Sequence, residues 1–468
     1  MSGVDAALIA IERALGDGRV ITDPEVLASY AGDESEAEPR TPDAVVRARG
    51  TADVAAVMRA ASEHRVPVTP RAAGTGRTGG AVPLAGGIVL TCEQQSAIKG
   101  IEHADLTAVV EPGVITGQLH ETVEAEGLFY PPDPNSLSTC AIGGNVAENA
   151  GGPRTLRYGP TRDYVLGMEV VTAAGQVLQL GKRTVKGVTG YDLTSLMVGS
   201  EGTLGVITEV TLKLIPKPQS VVTLLALLPD LPTAGQAVNA ALCAGLLPRC
   251  LELLDEHTLR IVRPEAGLPL NEAARALLLI ELDGDERALD HQLEICGNTL
   301  VEAGALDVLV ARHGGEREKL WAARRELSRA LRKVANHKLA EDVVVPRSRI
   351  PELIDRCNRI SEAQHVPMPS YGHAGDGNIH VNFLWNDDSE RPAVDRAIEQ
   401  LFRTTVELGG TLSGEHGIGI LKAPFMELEQ SPEVLALQER IKALFDPQNI
   451  LNPGKIFPGQ LKRFHGAC

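Results

Sequence analysis

The spacing of apolar residues alternates along the chain between a repeat of about 3.6 and a repeat of about 2, and each change predicts an element. Residues 4–15 read as an acidic amphipathic helix. A short strand is expected at 45–48, then a helix with Val54, Val57, Met58 and Ala61 on one face, then a strand at 66–69. Strands follow at 88–90 and 107–112, and a helix is opened by Thr116 and closed by Gly127. Residues 165–172 and 177–181 predict a hairpin about 173–176, with a further strand at 207–214. From residue 220 the order becomes strand 221–228, helix 233–244, strands 250–254 and 276–282, helix 286–303 and strand 307–310. That β-α-β-β-α-β order predicts a ferredoxin-like antiparallel sheet with helices on one face. A helix over 316–333 carries Trp321, Arg324 and Arg325, and strand 342–345 and helix 351–364 come next. The last helix opens on Ser431-Pro432, a serine cap with proline in the first helical position. The class is α+β.

One stretch carries polar groups that this patterning does not need. Ser370 to Asn382 reads Ser-Tyr-Gly-His-Ala-Gly-Asp-Gly-Asn-Ile-His-Val-Asn. Gly375-Asp376-Gly377-Asn378 has the composition of a tight turn. Beyond it Ile379, Val381 and Phe383 alternate with His380 and Asn382, so a strand presents two polar side chains on one face. His373 lies just before the turn, and the chain reversal brings it back beside His380. Two histidines across a turn, with Asn382 on the same face, point to a metal or proton-transfer site. Later, Gly414-Glu415-His416-Gly417 allows a close backbone approach; Glu415 completes a His/His/carboxylate ligand set and His416 remains to move a proton.

Three glycine-rich runs precede these residues. The first, Pro70 to Ala81, contains Gly-x-Gly-x-x-Gly at 74–79, but a strand rather than a helix comes after it. A Rossmann turn requires that helix. Consecutive small residues still direct several backbone N–H groups at a diphosphate. The second run spans 131–152 and the third 199–207, and together they imply a large, multiply charged cofactor.

Composition narrows the field. At 468 residues the chain holds two or three domains. A net charge of −16 and only 3% aromatic residues argue against nucleic acid and anionic membrane surfaces. No apolar run approaches the roughly 18–20 residues of a membrane span, and the acidic start does not resemble a signal peptide. Seven cysteines without a Cys-x-x-Cys pair suit reduced thiols, a cytoplasmic setting and no iron–sulfur ligation.

The 70–81 loop, Ile142-Gly143-Gly144-Asn145, the 199–207 run, the 373/380 histidines, Gly414-Glu415-His416-Gly417 and the 452–455 ending occur together and in order. They resemble the FAD-dependent 2-hydroxyacid dehydrogenases of the vanillyl-alcohol oxidase/p-cresol methylhydroxylase superfamily. Within it they are most similar to the glycolate oxidase FAD subunit and D-lactate dehydrogenase branch. The resemblance implies a two-subdomain FAD-binding domain of the p-cresol methylhydroxylase type over 1–219, with the helical segment 1–38 included. A cap over 220–424 contains the ferredoxin-like sheet, and 425–468 returns to the FAD domain. It implies that Pro70, Arg71, Ala72, Ala73, Gly74, Thr75, Gly76, Arg77, Gly80 and Ala81 bind the pyrophosphate. Pro132, Ser138, Ile142, Gly143, Gly144, Asn145 and Gly152 would line the diphosphate and isoalloxazine. Glu201, Gly202, Gly205, Val206 and Ile207 would hold the adenosine end, and Asn452 would approach the flavin. His373, His380 and Glu415 would bind a divalent metal (Zn, Mn or Fe), with His416 as base, Arg324 on the substrate carboxylate and Asn382 beside the histidines.

The activity this likeness implies is oxidation of a short D-2-hydroxy acid, D-lactate or glycolate, to the 2-keto acid by hydride transfer to flavin N5. Electrons would pass to a separate acceptor, an electron-transferring flavoprotein or an iron–sulfur subunit, through which the protein would sit peripherally at a membrane; a homodimer stays open. Arg77-Thr78 departs from the family's usual apolar-Ser pair. No histidine stands where relatives attach flavin covalently, so non-covalent FAD is expected. Lys338 falls near, but out of register with, the lysine that hydroxyglutarate enzymes use. D-2-hydroxyglutarate or a larger acid is one alternative, a flavin-dependent transferase a second, and a non-catalytic FAD scaffold subunit a third.

Overall fold

The computed structural model describes residues 2–265, 270–325 and 327–457. It divides into two units. One comprises Met1–Gly151, Pro160–Lys217 and Glu415–Cys468, and the other Gly152–Gly159 and Pro218–Gly414. The divisions thus fall at 217/218 and 414/415, against expected boundaries at 219/220 and 424/425, and 152–159 groups with the second unit.

In the first unit, Ala44–Arg47 and Val68–Arg71 flank Ile88–Thr91 in parallel, and Val20–Ile21 joins the outer edge antiparallel. Ile88–Thr91 is buried at every position, and Ile88, Val89 and Leu90 supply the apolar run that a strand covered on both faces requires. Helices Gly3–Leu15 and Thr51–His64 share the core of this sheet with Ile450 and Leu451. The first helix begins at a reciprocal cap between Ser2 and Asp5. Residues 450–452 return to the same sheet. Val68 N–H donates to Ile450 O at 2.7 Å, and Asn452 N–H to Val68 O at 2.7 Å.

A five-stranded antiparallel sheet comes next, in the order Ile98–Glu102, Thr107–Val110, Val206–Lys213, Val165–Val171, Val177–Gly181. The predicted hairpin about 173–176 is its outer pair. The loop after Val68–Arg71 runs directly to the Ile88–Thr91 strand without a helix, so the Gly-x-Gly-x-x-Gly run does not form a Rossmann turn. The second glycine-rich run does contain a helix, Ile142–Glu148, that its composition concealed. Gly143 sits so close to Pro112 that a Cβ there would lie 2.6 Å from the proline Cβ, so only glycine lets this helix start where it does.

The second unit is built on a seven-stranded antiparallel sheet. Its order is Asp307–Ala311, Ser220–Leu228, Ala276–Gly284, Cys250–Leu254, Ser370–His373, Asn378–Trp385, His337–Val344. The first four reproduce the predicted β-α-β-β-α-β unit, and the last three extend it. Helices cover both faces, which corrects the one-sided expectation. Leu225, Leu254, Leu277 and Leu279 pack against helices Glu256–Val262, Gly314–Arg325 and Leu327–Val334 through Leu259, Leu320, Leu327 and Leu331. Leu224, Ala226, Leu278 and Ile280 point the other way and are equally buried, beneath Leu231–Cys243 and Glu286–Glu302. The helix expected over 316–333 is found over Gly314–Arg325 and Leu327–Val334, residue 326 between them lying outside the described residues. The strand expected at 342–345 is longer, because every residue from His337 to Val344 pairs with Asn378–Trp385.

Helix Pro432–Phe445 starts at the predicted Ser431 cap. Near its end Lys442, 3% exposed, donates to Thr203 O and Leu451 O at 2.8 Å each and pairs with the buried Asp446. Removing one partner of a buried pair strands the other's charge. Lys442→Ala is expected to lower stability by about 3–5 kcal/mol, read by chemical denaturation; a loss below about 1 kcal/mol, the worth of an exposed pair, would show that Lys442 does not anchor this helix.

Candidate functional site

The second unit assembles the predicted histidines by hairpin register. Tyr371 lies opposite His380 and His373 opposite Asn378, so His373 and His380 are diagonal neighbours on one face. Their ring centroids are 5.2 Å apart and the rings nearly perpendicular, with a ring nitrogen of each within 4.8 Å of the other's. The turn is as tight as its composition promised. Gly377 has φ +91°, and a Cβ there would lie 2.1 Å from Val345 O.

Strands on either side add two carboxylates that the pattern of the sequence did not single out. Glu252 faces His373 from Cys250–Leu254 and is fully buried. One carboxylate oxygen is hydrogen-bonded to His373 Nδ1, and the other accepts from Arg324 Nε at 2.7 Å. Burial alone would push this carboxyl up, but its interactions with His373 and Arg324 outweigh it and hold Glu252 well below the usual carboxylate range. The Arg324 guanidinium carbon lies 4.8 Å from the centroid of the Tyr371 ring. On the far side Asp342 faces His380 and is likewise fully buried. It accepts from Gly414 N–H at 2.7 Å and Ser413 Oγ at 3.3 Å, which fixes the chain up to the residue before Glu415. The signal for Glu252 was an acidic residue inside the otherwise apolar Cys-Leu-Glu-Leu-Leu, since buried carboxylates persist only with partners.

Asn382 donates from Nδ2 to Pro369 O at 3.2 Å and His380 O at 3.3 Å. Its Oδ1 is buried with no partner among the described residues. A buried amide oxygen left without a donor fits a ligand hydroxyl or ammonium. Asp255 secures the start of the hairpin: it accepts from Ser370 N–H at 3.0 Å while capping the next helix through Thr258 N–H at 2.8 Å.

The first unit holds the glycine-rich runs. Among the described residues, no backbone N–H from Ala73 to Gly80 donates to a protein acceptor, although Thr78, Gly79 and Gly80 are buried. Eight successive unpaired amides among small residues fit a diphosphate and suit FAD. Around them, Arg71 Nη1 donates to Gly32 O at 2.6 Å, Arg77 pairs with Glu34 at 3.3 Å, and Ala81 N–H reaches Asp33 at 3.3 Å. Pro132 is buried and its carbonyl meets His120 Nε2 at 2.9 Å, whereas Ser138 is exposed. Asn145 Nδ2 donates to Thr116 Oγ1 at 2.6 Å.

Glu201 and Asn452 are engaged by the chain itself. The Glu201 carboxylate accepts from Ile418 and Gly419 N–H at 2.7 Å each, just beyond His416. Asn452 Nδ2 donates to Gly80 O at 3.0 Å and to Glu201 O at 2.7 Å. Thr78 Oγ1 donates to His416 O at 3.2 Å. The loop over 78–81 and the turn over 416–419 are therefore one hydrogen-bonded assembly. Glu148, equally inconspicuous in the sequence, points into it: a Cβ on Gly417 would lie 2.2 Å from its Oε2. Burial first, then the nearby charges of Glu201 and Asp33, push the Glu148 carboxyl well above the usual range, with Lys455 opposing.

The family described as FAD linked oxidases, C-terminal domain, matches residues 217–456, and the FAD binding domain matches residues 42–181. The chain is 42% identical over 432 residues to a protein named glycolate oxidase subunit GlcD from Bacillus subtilis, covering 92% of each. It is 36% identical over 451 residues to a D-lactate dehydrogenase from Anaerostipes hadrus, covering 94% of each. Among solved structures, p-cresol methylhydroxylase with substrate bound superposes with a TM-score of 0.82 over 97% of each chain at 17% identity, a likeness of fold.

The Glu148 shift has a definite sign. A carboxyl whose folded pKa is raised stabilises the fold fully below its unfolded pKa and loses that contribution as pH rises through the folded value. Glu148→Gln mimics the protonated form at every pH. Its urea midpoint relative to the parent protein is expected to rise between pH 5 and pH 8.5, and an unchanged difference would contradict the assigned environment.

Proposed function

Since the chain belongs to the FAD-linked oxidase family, we propose that it oxidises a short D-2-hydroxy acid, D-lactate or glycolate, to the 2-keto acid and passes the electrons to a separate protein. The observation that carries this reading is the His373/His380 pair, backed by Glu252 and beside the unsatisfied Asn382 oxygen, in a flavoprotein related to GlcD and D-lactate dehydrogenase. Paired imidazoles suit chemistry on a substrate hydroxyl, as oxidation of a 2-hydroxy acid requires.

FAD would be held non-covalently by the Ala73–Gly80 amides, Pro70 to Ala81, Pro132, Ser138, the 142–145 helix start, Gly152 and the 201–207 segment. When bound, it supplies the two-electron acceptor for the hydrogen on the substrate's Cα. His373, His380 and Glu415, which directly follows Gly414, would hold a divalent metal. When bound, that ion supplies the charge that brings an aliphatic hydroxyl within reach of a weak base. Imidazole and carboxylate ligands together suit Zn, Mn or Fe.

The chain's own residues then divide the work. Arg324, oriented through Nε by Glu252, presents guanidinium N–H groups to the substrate carboxylate, and the planar fork limits which face of Cα is exposed. Asn382 Oδ1 accepts a hydrogen bond that would otherwise be lost. His416 takes the hydroxyl proton on a ring nitrogen. The Thr78 hydroxyl on His416 O and the Glu201 carboxylate on the next amides keep its backbone from drifting, and positional error costs rate steeply. The subunit designation of the B. subtilis relative supports an external electron acceptor, an electron-transferring flavoprotein or an iron–sulfur subunit. No helix among the described residues is long and apolar enough to cross a membrane.

A second substrate reading has its own observation. Residues 338, 340 and 342 share a face of their strand, and Ala340 and Asp342 face Asn382 and His380. Lys338 therefore stands on the histidines' side of the sheet, as recognition of a distal carboxylate in D-2-hydroxyglutarate would require.

Anaerobic mixing with a panel of hydroxy acids tests both. D-lactate or glycolate is expected to bleach the flavin's visible absorbance and L-lactate is not; bleaching by D-2-hydroxyglutarate alone, abolished in Lys338→Met, selects the second reading, and no bleaching by any acid refutes both. His380→Ala and Glu415→Ala are expected to keep FAD while losing bound metal and at least about 10³-fold in turnover; full activity in either removes the metal from the mechanism. His416→Gln is expected to lower kcat by about 10²–10⁴-fold with little change in KM, the range for loss of a general base.

A further inference from the structure

Helix Gly314–Arg325 meets the sheet through charge as well as through Leu320. Arg317, Trp321 and Arg324 recur at intervals of four and three, so they share one helix face. The sheet offers two buried glutamates beneath it. Glu281 accepts from Trp321 Nε1 at 2.8 Å, Arg317 Nη2 at 3.2 Å and Thr223 Oγ1 at 2.8 Å. Glu252 takes Arg324. Both carboxylates therefore anchor the same helix, but only Glu252 also carries a histidine.

A carboxylate ion has acceptors only, so the group it shares with His373 must be an Nδ1–H donor. That choice leaves the lone pair of the neutral ring on Nε2. The same carboxylate fixes Arg324 through Nε, so one buried group sets both a ring tautomer and a guanidinium orientation. Burying an ionised glutamate costs several kcal/mol unless both oxygens are paired, and here both are.

We propose that Glu252 is a positioning residue that locks His373 in the tautomer offering Nε2 to a cation and, through Arg324, ties that cation's site to the hold on the substrate carboxylate. The inference rests on the metal reading above. Glutamine cannot replace it. With its oxygen on Arg324, its NH₂ meets His373 Nδ1 as a donor, which favours the opposite tautomer and puts the proton on Nε2. Glu281→Gln is the control, since Glu281 anchors the helix without touching a histidine.

The metal-stripped, FAD-loaded protein is titrated with zinc ion alone against a chromophoric chelator. Glu252→Gln is expected to weaken zinc binding about 10–100-fold, the usual cost of losing a ligand's carboxylate partner, and to raise KM for the hydroxy acid. Glu281→Gln is expected to lower the unfolding midpoint while leaving zinc affinity within about twofold, and Glu252→Asp to recover part of the loss. If Glu252→Gln does not fold, Glu252→Asp against the parent protein carries the comparison. Zinc affinity unchanged in Glu252→Gln but lost in His380→Ala overturns the role of Glu252 and leaves the metal reading intact. A parent protein that binds zinc no better than His380→Ala overturns both.

Discussion

An ionised glutamate in the middle of a sheet is an expensive object, and the second unit is arranged so that Glu252 is never without company. Its strand lies between Ala276–Gly284 and the hairpin strand Ser370–His373, so one neighbour sets its depth and the other delivers His373 opposite it. Helix Gly314–Arg325 supplies the second partner from above. If either the register or the helix shifted by one residue, the carboxylate would lose a partner and its desolvation would go uncompensated. The polar group thus specifies the geometry more sharply than the surrounding leucines do, because apolar contacts tolerate small slips and a buried charge does not.

The first unit works under a different constraint. Its loop over 73–80 leaves a row of amides without acceptors, which a fold tolerates where an anion takes them. The chain stiffens this loop from outside: Asn452 bridges Gly80 and Glu201, Glu201 holds the amides after His416, and Lys442 ties the last helix to the same neighbourhood. These contacts join segments hundreds of residues apart in sequence. The loop proposed to cradle the cofactor and the turn carrying the proposed base are therefore parts of one hydrogen-bonded assembly, not independent motifs.

Much of this was legible in the order of residues. The strand-to-strand course of the 72–87 loop came from proline and glycine where a Rossmann helix would have to start. The β-α-β-β-α-β run and the 375–378 turn came from period and composition. Three features were not legible. The Ile142–Glu148 helix was hidden by glycines whose purpose is contact with Pro112. The second helical layer over the seven-stranded sheet depends on Leu320, Leu327 and Leu331 finding a face already apolar on both sides. Glu148 looked like an ordinary acidic residue, and the apolar run around Glu252 did not show its partners, because sequence does not display depth.

What the sequence alone determined is local: which segments extend or coil, where glycine permits a reversal, and which stretches carry imidazoles, carboxylates and small-residue loops. Those properties depend on neighbours within a few positions, so a short window suffices to read them. Only the tertiary structure decided that Glu252 stands between His373 and Arg324, residues 121 and 72 positions away, and that Asn382 keeps an unsatisfied oxygen. Strand order and helix docking fix such pairings through burial summed over many side chains, and no short window of sequence contains that sum.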